Sequence, residues 1–231
     1  MFSLKSFIMF REYILWRMIV KKAKETILKE VINTDIRNLE QTLEQIDEQT
    51  FQSAVDMIAK ARKVYIVGVR NCAPLAEVLW SGLHMVLEQA VLVRTNSSSD
   101  LFEQMIHVGE KDVVIGISFP RYSVRTLKAL EFANNRSAKV ITITDCMNSP
   151  INLYSSCNLT AKSQLVSVVD SFVAPLSLVN ALIAALCMKK KNKVMETMEE
   201  MYRVWDEYQV YGSDDLNPVT GEVAIREIDE D

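Results

Sequence analysis

Residues suited to holding an anion gather in a few short segments of this 231-residue chain. Gly68, Val69, Arg70, Asn71 and Cys72 form one; Thr95, Asn96, Ser97, Ser98 and Ser99 form a second. Ser118, Phe119, Pro120, Arg121, Tyr122 and Ser123 form a third, and Thr144 with Asp145 a short fourth. Hydroxyl and guanidinium groups donate hydrogen bonds, and charge-assisted ones are the strong ones. Where such a segment runs into a helix, free backbone N–H groups and the helix dipole favour a negative charge as well. The ligand this chemistry suits is a phosphate or carboxylate on a polar body. Each residue also has a plainer reading. A serine run commonly caps a helix, Arg121 could be a solvated loop residue, and Cys72 a small packing residue.

Other chemistry is less well supplied. Proton transfer needs a poised base, and the acids near the expected site are Asp100, Glu103, Asp145 and Asp170, none of which combines with a histidine in an evident pair. Of the two histidines, His84 sits in an apolar stretch, where packing or a subunit contact is the simpler role, and His107 reads as a helix end. Four cysteines without a CxxC pair argue against a structural zinc site. Gly68 stands alone where a dinucleotide fingerprint needs three glycines, so no such cofactor is expected.

The elements that would position these segments alternate in period. Residues 63–68, 90–94, 112–118, 139–144 and 157–161 read as strands. Helical patterns fall at 71–89, 100–107, 124–134, 171–190 and 194–208. Such alternation implies βαβ crossovers and a parallel sheet covered on both faces. Ligands then bind beyond the carboxyl ends of the strands, where all four segments fall. Two helices precede the sheet. The first is capped by Asn33 or Thr34 and carries a stripe of Ile36, Leu39, Leu43 and Ile46; the second runs from about residue 50 to 61.

Hydrophobic residues make up 49% and charged ones 24%, an ordinary globular balance that excludes wholesale disorder. The apolar stretch near residue 180 falls short of the ~20 residues that span a bilayer. Nothing reads as a secretory signal, and reduced thiols and a cytoplasmic location are expected. Residues 1–30 carry net +4 within a chain of net −4, and the twenty residues from Gly212 carry net −6. The 201 residues after the first thirty therefore carry net −8, unlike a nucleic-acid surface. Residues 1–20 read as an amphipathic helix in need of a partner, and 211–231 as an acidic flexible tail.

The sequence KVYIVGVRNCAPLAEVL resembles the first strand and loop of the sugar isomerase (SIS) domain, usually GxGxSxxxA. Gly68 and Ala76 match; Arg70 stands at the second glycine and Cys72 at the serine. DVVIGISFPRYSVRTLKALEFANNRSAKVITITD resembles the second signature, usually ISxSGxT. Ser118 and Ser123 match its outer positions, with Pro120 and Arg121 replacing Ser-Gly. The form ISFPRYS and the segment DSFVAPLSLVNALIAAL are similar to MurR/RpiR-family transcriptional regulators. LKSFIMFREYILWRM is similar to the closing part of their helix-turn-helix domain, and the sequence as given holds nothing before it to supply a recognition helix.

The resemblance implies a three-layer α/β/α sandwich with a five-stranded parallel sheet in flavodoxin-like order and an N-terminal helical extension. It divides the chain into a helix-turn-helix-type remnant (1–30), a SIS domain with leading and trailing helices (31–210) and the tail. The expected function is that of a phosphosugar-binding effector sensor and dimerisation module, without catalytic residues, metal or cofactor. A SIS-type phosphosugar isomerase is the alternative. The expected site comprises Gly68, Arg70, Asn71, Cys72, Ser97, Ser98, Ser118, Arg121, Tyr122 and Ser123. Ser118, Ser123 and Cys72 take family roles by position; Arg121, Ser97 and Ser98 are inferred from charge and hydroxyl density. Expected partners are a carbohydrate derivative and a second copy, as homodimer or tetramer. No membrane is expected as a partner, and DNA only through a missing or upstream helix-turn-helix domain.

Overall fold

The computed structural model describes residues 27–94, 97–165 and 169–210. The readings made for residues 1–26 and 211–231 lie outside them. Five strands form one sheet: β1 Val64–Gly68, β2 Ala90–Leu92, β3 Val113–Ile117, β4 Lys139–Thr144 and β5 Cys157–Thr160. All pairings are parallel and the order is β2-β1-β3-β4-β5. Every residue of β1 and β3 is buried, as is all of β4 but Lys139, because helices cover both faces. The edge strands β2 and β5 are only partly buried.

The helices are α1 Ile27–Gln45, α2 Glu48–Lys60, α3 Ala73–His84, α4 Ser98–Gln104, α5 Val124–Asn134 and α6 Val173–Lys189. A further helix, α7 Lys191–Glu207, belongs to a separate compact unit beginning at Lys191. It is amphipathic, has no buried residue, and stacks Tyr202 edge-on against Trp205. On one face of the sheet, Tyr65, Val67, Val114 and Val140 join a core that includes Leu101, Met105 and Leu130. No single described helix is long and apolar enough to cross a membrane.

The amino ends of the strands are locked by one ion pair. Arg62 donates to both carboxylate oxygens of Asp112, at 2.9 and 2.6 Å, and the Gly109 N–H adds a third bond at 2.9 Å. Asp112 is fully buried. Burial pushes its carboxyl up, but Arg62 and the Gly109 N–H outweigh this and hold it below the usual range.

Helix α1 departs from the sequence reading. Among the described residues it is helical from Ile27, ahead of the expected cap, and turns Thr34, Asn38 and Thr42 inward. Ile36, Leu39 and Leu43 of the expected stripe are exposed. The reason lies in the irregular segment after β5, whose backbone groups have no ladder and must find partners elsewhere. Asn38 donates its amide to the Gln164 carbonyl at 3.0 Å and accepts the Gln164 N–H at 3.1 Å. The Thr42 hydroxyl accepts the Lys162 N–H at 2.9 Å, and Ser171 donates its hydroxyl to Asp35 at 2.5 Å. A polar helix face is therefore the buried one. Smaller differences fall at boundaries: α3 is preceded by a 3₁₀ turn, Arg70–Cys72, and ends at His84, and α4 starts two residues early. His84 is exposed and stacks on Trp80.

Candidate functional site

Strand order makes one position special. The crossover from β1 leads to β2 on one side, and that from β3 leads to β4 on the other. The carboxyl ends of β1 and β3 lie side by side, with Gly68 paired to Ile117. A crevice opens at such a switch point.

The β1 loop turns sharply into α3. A Cβ on Gly68 would stand 2.7 Å from the Cys72 carbonyl oxygen and 2.8 Å from Ala76 Cβ, so only glycine admits this approach. Arg70 has φ 57°, a left-handed conformation that glycine prefers. Arg70 and Asn71 are exposed at the rim, and Cys72 is buried. Burial pushes the Cys72 thiol up, against a hydrogen bond from the Phe119 backbone, and the Asp170 charge raises it further. Cys72 is therefore a protonated packing residue, not a thiolate nucleophile.

The β3 loop closes on itself. The Ser118 hydroxyl accepts the Ser123 N–H at 3.1 Å, and the Ser123 hydroxyl caps α5 through the Thr126 N–H at 3.5 Å. Arg121 has φ 69°, again left-handed. Both arginines thus stand where the family signature usually has glycine, and the backbone keeps the glycine conformation. Arg121 donates to Asp170 at 3.0 Å. Tyr122 donates its hydroxyl to Asp145 at 2.6 Å, and Thr144 donates to the same oxygen at 3.2 Å. Burial and the Asp145 charge push the Tyr122 hydroxyl far up, so it stays a donor.

Ser97 spends its hydroxyl locally, accepting the Asp100 N–H at 3.2 Å and sharing a bond with Ser99 at 2.8 Å. It caps the seven-residue α4. Ser98 opens that helix, and its side chain lies outside the described ones. The geometry thus unites Gly68, Cys72, Ser118, Arg121, Tyr122 and Ser123 at adjoining strand ends, sets Arg70 and Asn71 at the rim, and engages Ser97 in a cap.

Two participants were not among the expected site residues. Asp145 and Asp170 are the acids that hold Tyr122 and Arg121. Both were visible in the sequence only as isolated acids near the strand ends. Asp170 is 3% exposed, and burial pushes its carboxyl up while Arg121 pulls it down. Among the described residues, the buried side-chain polar atoms without a partner are Asp170 Oδ1 and Thr126 Oγ1, the latter in the first turn of α5. A second cleft, of about 390 Å³, runs between α2 and the β5 edge. Its lining holds one charge, Asp47, and no cation, which does not suit an anion.

Comparison with known proteins agrees with this fold. Residues 57–185, more than half of the chain, match the model of the SIS domain family. An uncharacterised HTH-type transcriptional regulator of Haemophilus influenzae is 24% identical over 54% of this chain and 43% of its own length. The chain therefore spans less than half the length of that relative. Among solved structures, the sugar isomerase domain of an RpiR transcription factor from Sphaerobacter thermophilus is 27% identical, with a TM-score of 0.74 over 78% of this chain and 99% of that one. The Vibrio vulnificus NanR protein, solved with ManNAc-6P, shares the fold at 17% identity, with a TM-score of 0.67 over 82% of this chain and 74% of that one. So does a phosphoheptose isomerase from Neisseria gonorrhoeae, at 17% identity and a TM-score of 0.59 over 70% and 99%.

Proposed function

This chain belongs to the SIS domain family, and on that premise we propose that it is the effector-sensing part of an RpiR-type transcriptional regulator, binding a phosphosugar at the ends of β1 and β3. The observation that carries this reading is the β3 loop. Ser118, Ser123 and the first turn of α5 form a compact donor set, with Arg121 beside it. Donors of this kind at a helix start suit a phosphate. Gly68 brings the β1 turn close alongside. The sensor reading is favoured over isomerase chemistry because the site's acids are engaged: Asp145 holds Tyr122 and Asp170 holds Arg121. No histidine is joined to them in the described contacts. In this role the protein is cytoplasmic, and DNA is contacted by a helix-turn-helix domain rather than by the SIS body, which has no net positive charge.

A second copy covers the exposed faces of α1 and α6. Leu28, Ile32, Ile36, Leu39 and Leu43 repeat every three or four residues along α1, and α6, which packs beside it, exposes Val173, Leu176 and Met188. The 19-residue α1 is roughly 28 Å long. Two adjacent helices of that scale approach the footprint of a standard interface, about 800 Å² per partner.

Thermal unfolding in a panel of phosphosugars tests the ligand class. A true ligand at 100 times its dissociation constant adds about 2.7 kcal/mol. No shift with any phosphosugar would remove the reading. Light scattering at micromolar concentration tests the assembly, and a monomer would contradict it.

A further inference from the structure

The phosphate-holding turn does not account for Asp170. Its carboxylate is 3% exposed; one oxygen takes Arg121 at 3.0 Å, and the other is wholly buried with no hydrogen-bond partner. A buried carboxylate oxygen left bare loses hydration for no return, so such atoms call for an explanation. This same chain saturates Asp112 with three donors. Nor can Asp170 readily swing out to water. Ser171, next to it, is tied to Asp35 of α1, and Phe172 lies edge-on against Phe119 of the β3 loop. The carboxylate is thus held at the end of β3, and its charge is felt by the Cys72 thiol at the end of β1.

We propose that Oδ1 of Asp170 receives a hydrogen-bond donor, a hydroxyl or amide N–H, on the sugar body of the ligand, and so selects among sugars sharing a phosphate. The inference rests on the phosphosugar reading above. A carboxylate repels a phosphate and accepts from a neutral donor. The site therefore has two ends: the Ser118–Ser123 turn for the anion, and Asp170 for the body that carries it. Arg121 lies between them, a guanidinium with five donors in a rigid fork.

The test compares wild type with Asp170→Asn by calorimetric titration, using inorganic phosphate, ribose 5-phosphate, fructose 6-phosphate and ManNAc-6P as probes. In the variant, the single amide oxygen turns to Arg121 and an N–H faces the ligand, so donor meets donor. Wild type is expected to bind at least one phosphosugar tighter than inorganic phosphate. The variant should lose about 10- to 100-fold for that sugar, the range of a hydrogen bond to a charged group, while inorganic phosphate binds no weaker because a repelling charge is gone. If wild type prefers none of the sugars over phosphate, the functional reading fails and the inference with it. If wild type prefers one and the variant keeps that preference, the inference alone is overturned. Should the variant not fold, single-deoxy analogues of the preferred sugar replace it, titrated on wild type. One of them must bind at least about tenfold weaker, and equal binding of all of them overturns the role of Asp170.

Discussion

An arginine–aspartate pair stands at each end of the sheet, and the two are built differently. At the amino ends, Asp112 is fully buried and takes two bonds from Arg62 and one from the Gly109 N–H. At the carboxyl ends, Asp170 is almost as buried, takes Arg121 through one oxygen, and leaves the other bare. The first arrangement is closed: every strong acceptor is used, and a ligand would have nothing to add. The second is open, and it is also the end that keeps arginines in left-handed backbone, at Arg70 and Arg121. Such residues cost of order 1–3 kcal/mol each and tend to mark functional sites. Backbone strain alone does not separate the ends, since Ser137, just before β4, has φ 62° as well; the unsatisfied acceptor of Asp170 does.

The sharpest way to break the contrast is Asp112→Ala. Urea unfolding should show a loss of about 2–3 kcal/mol, the scale of losing a buried charged hydrogen-bond set. Phosphosugar affinity of the folded fraction should not change. Gly68→Ala comes next, at about 2 kcal/mol, because the new Cβ meets backbone that cannot yield cheaply. Unlike the Asp112 variant, it should weaken the ligand too, since it moves the β1 loop.

Acid separates the two pairs by sign. The Asp112 carboxyl lies below its ordinary value of 3.8 in the folded protein, so its contribution is present above that value and is lost as pH falls through the folded one. The Asp170 carboxyl lies above 3.8, so the folded state gains from its protonation. That contribution is full below 3.8 and disappears as pH rises through the elevated value. Asp170→Asn should therefore change stability by less than about 1 kcal/mol at neutral pH, and should lose ground to wild type as pH is lowered. A large neutral-pH loss would make Asp170 a structural residue like Asp112. The smallest effect belongs to Arg70→Gly. Relief of the left-handed backbone is offset by a freer unfolded chain, leaving about 0.5 kcal/mol or less of stabilisation by thermal unfolding.

Sequence reading went furthest where one physical pattern dominates. The five strands are apolar runs followed by polar strand ends, a pattern that survives because both faces of the central strands are buried. It went astray at α1, where the 3-4-3 spacing of Ile36, Leu39 and Leu43 marks an apolar face but does not say what that face meets. The body of the domain takes the polar face instead, because Asn38 and Thr42 satisfy backbone at Gln164 and Lys162, more than 100 residues away. At Ser97 the sequence offered a hydroxyl and the structure adds its local role, the cap of α4.

Residue types and spacing alone determined the α/β class and the strand ends as the place to look, and the resemblance to the SIS signatures added the positions where Arg70 and Arg121 replace glycine. They could do so because burial periodicity and turn chemistry are local properties of the chain. Tertiary structure decided which acids face those arginines, which helix face lies inward, and which carboxylate is left half satisfied. Asp112 and Asp170 look alike in sequence, each a single acid beside an apolar segment. What separates them is the count of donors folded around each: Asp112 takes Arg62, 50 residues away, through both oxygens and the nearby Gly109 N–H as well, whereas Asp170 takes Arg121, 49 residues away, through one oxygen.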